Sequence, residues 1–400
     1  MSDAPVSRRV YKFAVFALAI GAFAIGVTEF ATMGLLPHIA RELGITVPQA
    51  GHAVSFYAIG VVVGAPLITT IAAHMDRKLL LLCLMGLFAL GNLASMLAPD
   101  ATLFNIARFF SGLPHGAYLG VGAIVASSLV APHRRGRAMA RVMLGLTIAN
   151  IVGVPIATAL GNMFGWRSAY ALVAALGVLT VIMVAVAVPK VKLAGVPSAR
   201  GEMKALGRQQ IILTLVAGSV GFGGMFAVYT YVTPTMTDVA GVPQVAIPWV
   251  LAVYGLGMTA GSLIAGPLVD KSIERSGIGG MILSAIVLAA FGAFTHIAAI
   301  AIIALFLIGI AGSMITTALQ MRLLRDSHDA PSLSAAMNHA AFNLANALGA
   351  WLGGIVITAG LGYRAPAWVG VGLCLLGLIV LIIAIALRRG DASNRSTVEV

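Results

Sequence analysis

The chain has 400 residues, of which 60% are apolar and 10% charged, with a formal net charge of +12. A soluble domain carries roughly 25% charged residues, so this composition excludes a water-solvated globule. The positive charge does not mark a nucleic-acid binder, because the basic residues lie between hydrophobic runs, in the positive-inside pattern of a membrane protein.

Apolar runs long enough to cross the ~30 Å hydrocarbon layer are expected at 13–37, 48–73, 79–98, 101–128, 138–163, 167–188, 211–237, 246–269, 278–296, 298–320, 334–359 and 366–387. The short alternating stretches of a membrane β-barrel are missing. Backbone groups in lipid must be satisfied within the segment, so each run reads as a helix. The fold class is therefore an all-α membrane protein with 12 transmembrane helices. The first run follows Arg8, Arg9 and Lys12, as a signal peptide would. It is long, contains Glu29 and precedes eleven more runs, so it reads as an uncleaved helix. Cys83 and Cys374 both lie inside apolar runs and imply neither a disulfide framework nor a metal site.

Charge sets the orientation. All basic residues except Arg41, Arg108, Arg167 and Arg364 fall in the tails or in one set of loops. Both termini are therefore expected in the cytoplasm. The longest connection, the basic linker 190–210, separates an N-terminal six-helix half, 1–189, from a C-terminal half, 211–400. The halves share internal matches at offsets of 196 to 198 residues. Tyr57-x-x-Gly60-x-x-x-Gly64 returns as Tyr254-x-x-Gly257-x-x-x-Gly261, Ala149-Asn150-x-x-Gly153 as Ala345-Asn346-x-x-Gly349, and Ala138-Met139 as Ala336-Met337. A duplicated six-helix half is the plan of many secondary transporters, which bind substrate between the halves near the midplane.

Glu29 is the acidic residue well inside a span. A charge in hydrocarbon costs at least a few kcal/mol, so a carboxyl there that is neutral or charged according to its surroundings suits proton coupling; a structural ion pair is the plainer reading. Arg108 is the natural partner. Glu29 lies eight residues before Pro37 and Arg108 eight after Asp100, which places both at a similar depth, roughly 12 Å from the outer surface. Arginine keeps its proton, so Arg108 would tune Glu29. His115 lies two turns below Arg108, where Pro114-His115-Gly116 interrupts regular helix; it is either a packed neutral side chain or a pH-responsive or substrate-contacting one. On the eleventh span His339, Asn343 and Asn346 share one helical face, either to bind substrate or to join helices. Met225, Phe226 and Tyr229 on the seventh suit a tolerant apolar pocket or simple packing. No Walker loop, paired carboxylates or metal-ligand cluster appears, so neither ATP hydrolysis nor other enzymatic activity is expected.

Three long strings resemble the major facilitator superfamily, and within it the drug:proton antiporters, including arabinose- and sugar-efflux and chloramphenicol-resistance transporters. They are Thr28-Glu29-Phe30-Ala31-Thr32-Met33-Gly34-Leu35-Leu36-Pro37, Gly112-Leu113-Pro114-His115-Gly116-Ala117-Tyr118-Leu119-Gly120-Val121-Gly122-Ala123, and Asn343-Leu344-Ala345-Asn346-Ala347-Leu348-Gly349-Ala350-Trp351-Leu352-Gly353-Gly354. The resemblance covers all twelve spans and implies a major facilitator fold in a bacterial inner membrane. It implies that Arg108, followed by Gly112, takes part in proton transfer with Glu29. The family's cytoplasmic loop motif survives as Asp76-Arg77, with Ala72, Leu79 and Leu80 at other motif positions, and as Gly266 with Asp270-Lys271; these two pairs are the candidate gating residues. Met33, Tyr118, Asn150 and Tyr254, in the resembling strings and the repeats, complete the candidate substrate-binding set.

The expected function is proton-coupled export of a small molecule, a drug such as chloramphenicol or a sugar, by alternating access around a central cavity. The alternatives are a proton-coupled importer on the same fold and a non-transporting membrane sensor. The expected partners are a small-molecule substrate and the bilayer, with no nucleic acid; the chain is expected to be a monomer that uses the proton gradient and no cofactor.

Overall fold

A computed structural model describes residues 7–72, 75–190, 207–327 and 331–398. Among these residues there is no strand, and twelve helices are long and apolar enough to cross a membrane. They are α1 (Arg8–Leu43), α2 (Val47–Ile71), α3 (Arg77–Leu97), α4 (Ala101–Ser128), α5 (Arg135–Phe164), α6 (Arg167–Ala187), α7 (Gln209–Thr230), α8 (Ile247–Lys271), α9 (Ile273–Phe294), α10 (Ala298–Asp326), α11 (Pro331–Val356) and α12 (Ala365–Val398). Most of the 190–210 linker lies outside the described residues.

Local chemistry explains where helices start and bend. Asp76 and Asp100 cap α3 and α4 by accepting from the Leu79 and Leu103 amides at 3.0 and 2.9 Å, and Thr46 with Gln49 forms a capping box at α2. The α4 helix is interrupted at Leu113-Pro114, as proline's missing donor dictates. A π-turn, Ala149–Gly153, precedes Pro155 in α5. The first helix runs past Pro37 to Leu43, where Gly44 closes it at φ 64°. The tenth also outruns its expected end at 320, because the polar residues to Asp326 continue the helix.

Contact density divides the chain into two units. Unit 1 is Met1–Val196 with Val232–Gly255; unit 2 is Pro197–Tyr231 with Leu256–Val400. The segment Val232–Gly255, placed in the C-terminal half by the sequence division, belongs to unit 1. There the Thr233 hydroxyl donates to the Gly34 carbonyl at 3.0 Å, and Asn162 and Gln244 exchange hydrogen bonds of 3.4 Å.

Within unit 1, α2 packs on α4 and α1 on α5 and α6; within unit 2, α9 packs on α10 and α12, and α7 on α11 and α12. The repeated glycines account for equivalent pairings inside each unit. Gly60 and Gly64 face the backbone of Phe109 and Leu113 on α4, while Gly257 and Gly261 face that of Phe306 and Ile310 on α10. Gly26 of α1 lies against Ala149 of α5, and Gly223 of α7 against Ala345 of α11. A Cβ at Gly26, Gly60, Gly64, Gly257 or Gly261 would strike a neighbouring helix, so these small residues set the spacing.

Gly60→Leu and Gly257→Leu should each destabilise the protein by about 2 kcal/mol through overpacking. Gly86→Leu should cost far less, because nothing lies within 4 Å of a Cβ built there. Thermal unfolding midpoints in detergent check this; equal effects at all three sites would refute the close-packing role.

Candidate functional site

The polar centre of unit 1 is built around Arg108, which has 0% exposure. Its Nη1 donates to Thr28 Oγ1 at 2.8 Å and its Nη2 to the Thr28 carbonyl at 3.0 Å. The guanidinium lies 4.3 Å from the Tyr57 ring centroid and 5.4 Å from that of Tyr170, a cation–π arrangement. Its Nε has no hydrogen-bond partner among the described residues. The Thr28 hydroxyl donates onward to Asn92 Oδ1 at 2.7 Å, and Asn92 Nδ2 returns to the Phe88 carbonyl at 2.8 Å. Thr32 and Tyr170 share a hydroxyl hydrogen bond of 2.8 Å. The Tyr57 hydroxyl and His115 Nδ1 are 2.9 Å apart.

This arrangement corrects the expected ion pair. Arg108 binds Thr28, one residue before Glu29. Glu29 is only half-buried and has no ion pair within 4 Å among the described residues. Successive helical residues point about 100° apart, so matching depth does not fix which side chain meets the arginine. His115 is buried and reaches Arg108 through Tyr57, since the interruption at Pro114 removes the continuous two-turn path.

The candidate substrate residues separate into distinct environments. Tyr118 is a packing strut: its hydroxyl donates to the Leu18 carbonyl at 3.1 Å, and its ring covers Gly21. Met33 and Tyr254 are also fully buried in unit 1. Asn150 lies in the π-turn, donates to the Leu146 carbonyl at 3.0 Å and keeps Oδ1 without a partner. In unit 2, Asn343 Nδ2 donates to the His339 carbonyl at 3.1 Å and its Oδ1 is unpartnered. Asn346 has 0% exposure, and neither of its amide atoms has a hydrogen-bond partner among the described residues. Met225, Phe226 and Tyr229 are buried on α7, with Phe226 facing Gly349 of α11. Phe222 stacks edge-on with Phe226 and Phe342, at centroid distances of 5.3 and 4.9 Å.

At the ends bearing the basic loops, Asp76 is a helix cap, and Lys78 in the first turn of α3 donates to the Ala185 carbonyl on α6 at 2.7 Å. Asp270 and Lys271 are exposed and make no ion pair among the described residues. The charges of unit 2 meet elsewhere. Glu274 pairs with Arg325 at 2.6 Å and Arg388 at 3.7 Å; Asp326 pairs with Arg325 at 3.2 Å and Arg388 at 3.3 Å. Buried Arg322 donates to Thr214 Oγ1 at 3.0 Å and Gln210 Oε1 at 2.8 Å. This network ties α7, α9, α10 and α12 together within unit 2. Sequence reading used Arg322, Arg325 and Arg388 only as topology markers and missed Glu274 and Asp326. It also missed Thr28, Asn92 and Tyr170, whose signal was polarity inside apolar runs.

The chain matches the family model described as Major Facilitator Superfamily over residues 18–340 and 246–399. It is 39% identical over 379 residues to the inner membrane transport protein YdhP of Escherichia coli (strain K12), covering 94% of this chain and 97% of that one. A chloramphenicol resistance protein of Streptomyces lividans is 29% identical, covering 94% and 96%. A crystal structure of a D-xylose-proton symporter shares the fold with a TM-score of 0.73 at 16% identity, covering 93% of this chain and 97% of that one. Twelve membrane-length helices, glycine-set pairings repeated in both units and a family match along nearly the whole chain lead to one assignment: this protein belongs to the major facilitator superfamily of membrane transporters.

Proposed function

We propose that this protein is a proton-coupled exporter of small neutral or amphipathic molecules, chloramphenicol being the first compound to test. It would sit in a bacterial inner membrane with both termini in the cytoplasm, working as a monomer without a cofactor. The observation that carries this reading is the division of labour between Thr28 and Glu29. Arg108 is held by Thr28 and two aromatic rings, leaving the adjacent Glu29 half-buried and without an ion pair among the described residues.

A proton on Glu29 leaves the observed Arg108–Thr28 pairing undisturbed. Loss of that proton places a negative charge beside Arg108 and draws the guanidinium toward it. Hydrogen bonds to charged groups contribute only about 1.5–3 kcal/mol net, so the two pairings are close enough in energy for one proton to choose between them. Substrate binding that favours one pairing would then favour one protonation state, and exchange follows by linkage. Export is supported by the likeness to a chloramphenicol resistance protein. Substrate contact is assigned to the amides of Asn343 and Asn346, because a buried amide atom without a partner costs about 1–3 kcal/mol that a ligand hydroxyl or carbonyl would offset.

Glu29→Gln should abolish substrate-dependent proton flux in proteoliposomes loaded with a pH-sensitive dye, while chloramphenicol binding is retained. Flux unchanged across pH in this variant would sink the assignment. Arg108→Lys should lower the transport rate by about tenfold or more, because an ammonium cannot keep the two-pronged grip on Thr28; wild-type rates would move the coupling centre elsewhere. Asn346→Leu should raise stability by about 1 kcal/mol by removing unpaired amide atoms while weakening substrate affinity about tenfold. A fall in stability with affinity unchanged would make the amide structural.

A further inference from the structure

We propose that the groove between α1 and α5, at the basic-loop end of unit 1, is a specific site for one anionic glycerophospholipid of the surrounding bilayer. The groove exists because Gly145 lets α5 approach the backbone of Ala19 and Phe23 on α1. Larger side chains on either side, among them Phe16, Leu144 and Ile148, are exposed and form its walls. The groove's volume is about 520 Å³.

Its polarity matches a lipid. One end carries Lys12, Arg141 and the Tyr11 hydroxyl; the remainder, as far as Phe23, is apolar. Arg141 Nη1 donates to the Tyr11 hydroxyl at 3.1 Å, which fixes the guanidinium at the mouth and leaves its other donors for a phosphate. No acidic residue lines the groove, and neither Lys12 nor Arg141 has an ion pair among the described residues. From Lys12 to Phe23 the helix rises roughly 17 Å, about half of a ~30 Å hydrocarbon layer and so the depth of one leaflet. Basic pockets between spanning helices are the places where anionic headgroups bind. The hollow of similar size between α9 and α12 in unit 2 lacks this match, because Glu274 is part of its wall.

The test uses the full chain, purified in mild detergent and stripped of lipid, titrated with palmitoyl-oleoyl phosphatidylglycerol or phosphatidylcholine and read by native mass spectrometry. The wild type should hold one phosphatidylglycerol about tenfold more tightly than phosphatidylcholine. Lys12→Gln with Arg141→Gln should bring the two lipids near parity, and Ala19→Trp should weaken both by filling the groove. Thermal midpoints establish that each variant is folded. If the double variant is not, Lys12→Gln alone, on an exposed side chain, should lower the preference about threefold. Parity in the wild type, or a preference that survives in these variants, overturns the proposal. Displacement of bound phosphatidylglycerol by saturating chloramphenicol would assign the groove to transported molecules and overturn it equally.

Discussion

A guanidinium that never loses its proton, buried to 0% exposure inside a membrane-spanning bundle, has to be satisfied by its neighbours. Arg108 imposes that requirement on five helices of unit 1. It takes two acceptors from Thr28 on α1 and an aromatic face each from α2 and α6. Thr28 then recruits Asn92 of α3, and Tyr57 meets His115 beyond the break in α4. The glycines serve the same end. Gly60 and Gly112 press α2 and α4 together at the level of Tyr57, which lets that ring cover the arginine.

Much of this was legible in the sequence for identifiable reasons. Bilayer thickness bounds the length of a spanning helix, so all twelve elements were readable, and errors fell at ends such as Leu43 and Asp326, where helix continues into polar sequence. The repeat was legible because a glycine that allows backbone contact cannot drift in register without losing that contact. Depth was legible too, since 1.5 Å per residue placed Glu29 and Arg108 at one level. Azimuth was not: a single residue, Thr28 or Glu29, decides which side chain faces the arginine. The Glu274–Arg325–Asp326–Arg388 network was unreadable for a different reason. Its members sit on three helices whose mutual rotation is fixed by packing, not by local pattern.

The two halves use one scaffold for different chemistry. At an offset of 197 residues, Glu29, Arg108 and His115 correspond to Phe226, Leu305 and Gly312, so the ionisable set of unit 1 has only apolar counterparts in unit 2. Tyr57 and Tyr254 remain paired by the same offset, and Asn150 and Asn346 by one of 196. What the duplication preserved is packing; what it let diverge is charge. Under the proposed function, proton handling belongs to unit 1, while unit 2 contributes buried aromatics and amides suited to a neutral solute.

Under the proposed function, that division also bears on how a proton and a substrate would compete without sharing an atom. A salt bridge between Glu29 and Arg108 as the resting state would be hard to break in low dielectric, because removing one partner leaves an uncompensated charge. In the observed arrangement Arg108 already has neutral partners, so its satisfaction does not depend on the charge of Glu29. Under the proposed function the acid takes or releases a proton without an ion pair having to break, and each change would redistribute Arg108 between two adjacent positions on α1. Because Thr28 is linked to Asn92, and Arg108 to Tyr57 and through it to His115, that small redistribution would pull on α2, α3 and α4 together. A shift between neighbouring residues of one helix would thereby be felt as a shift between helices, which is the scale of motion that transport requires.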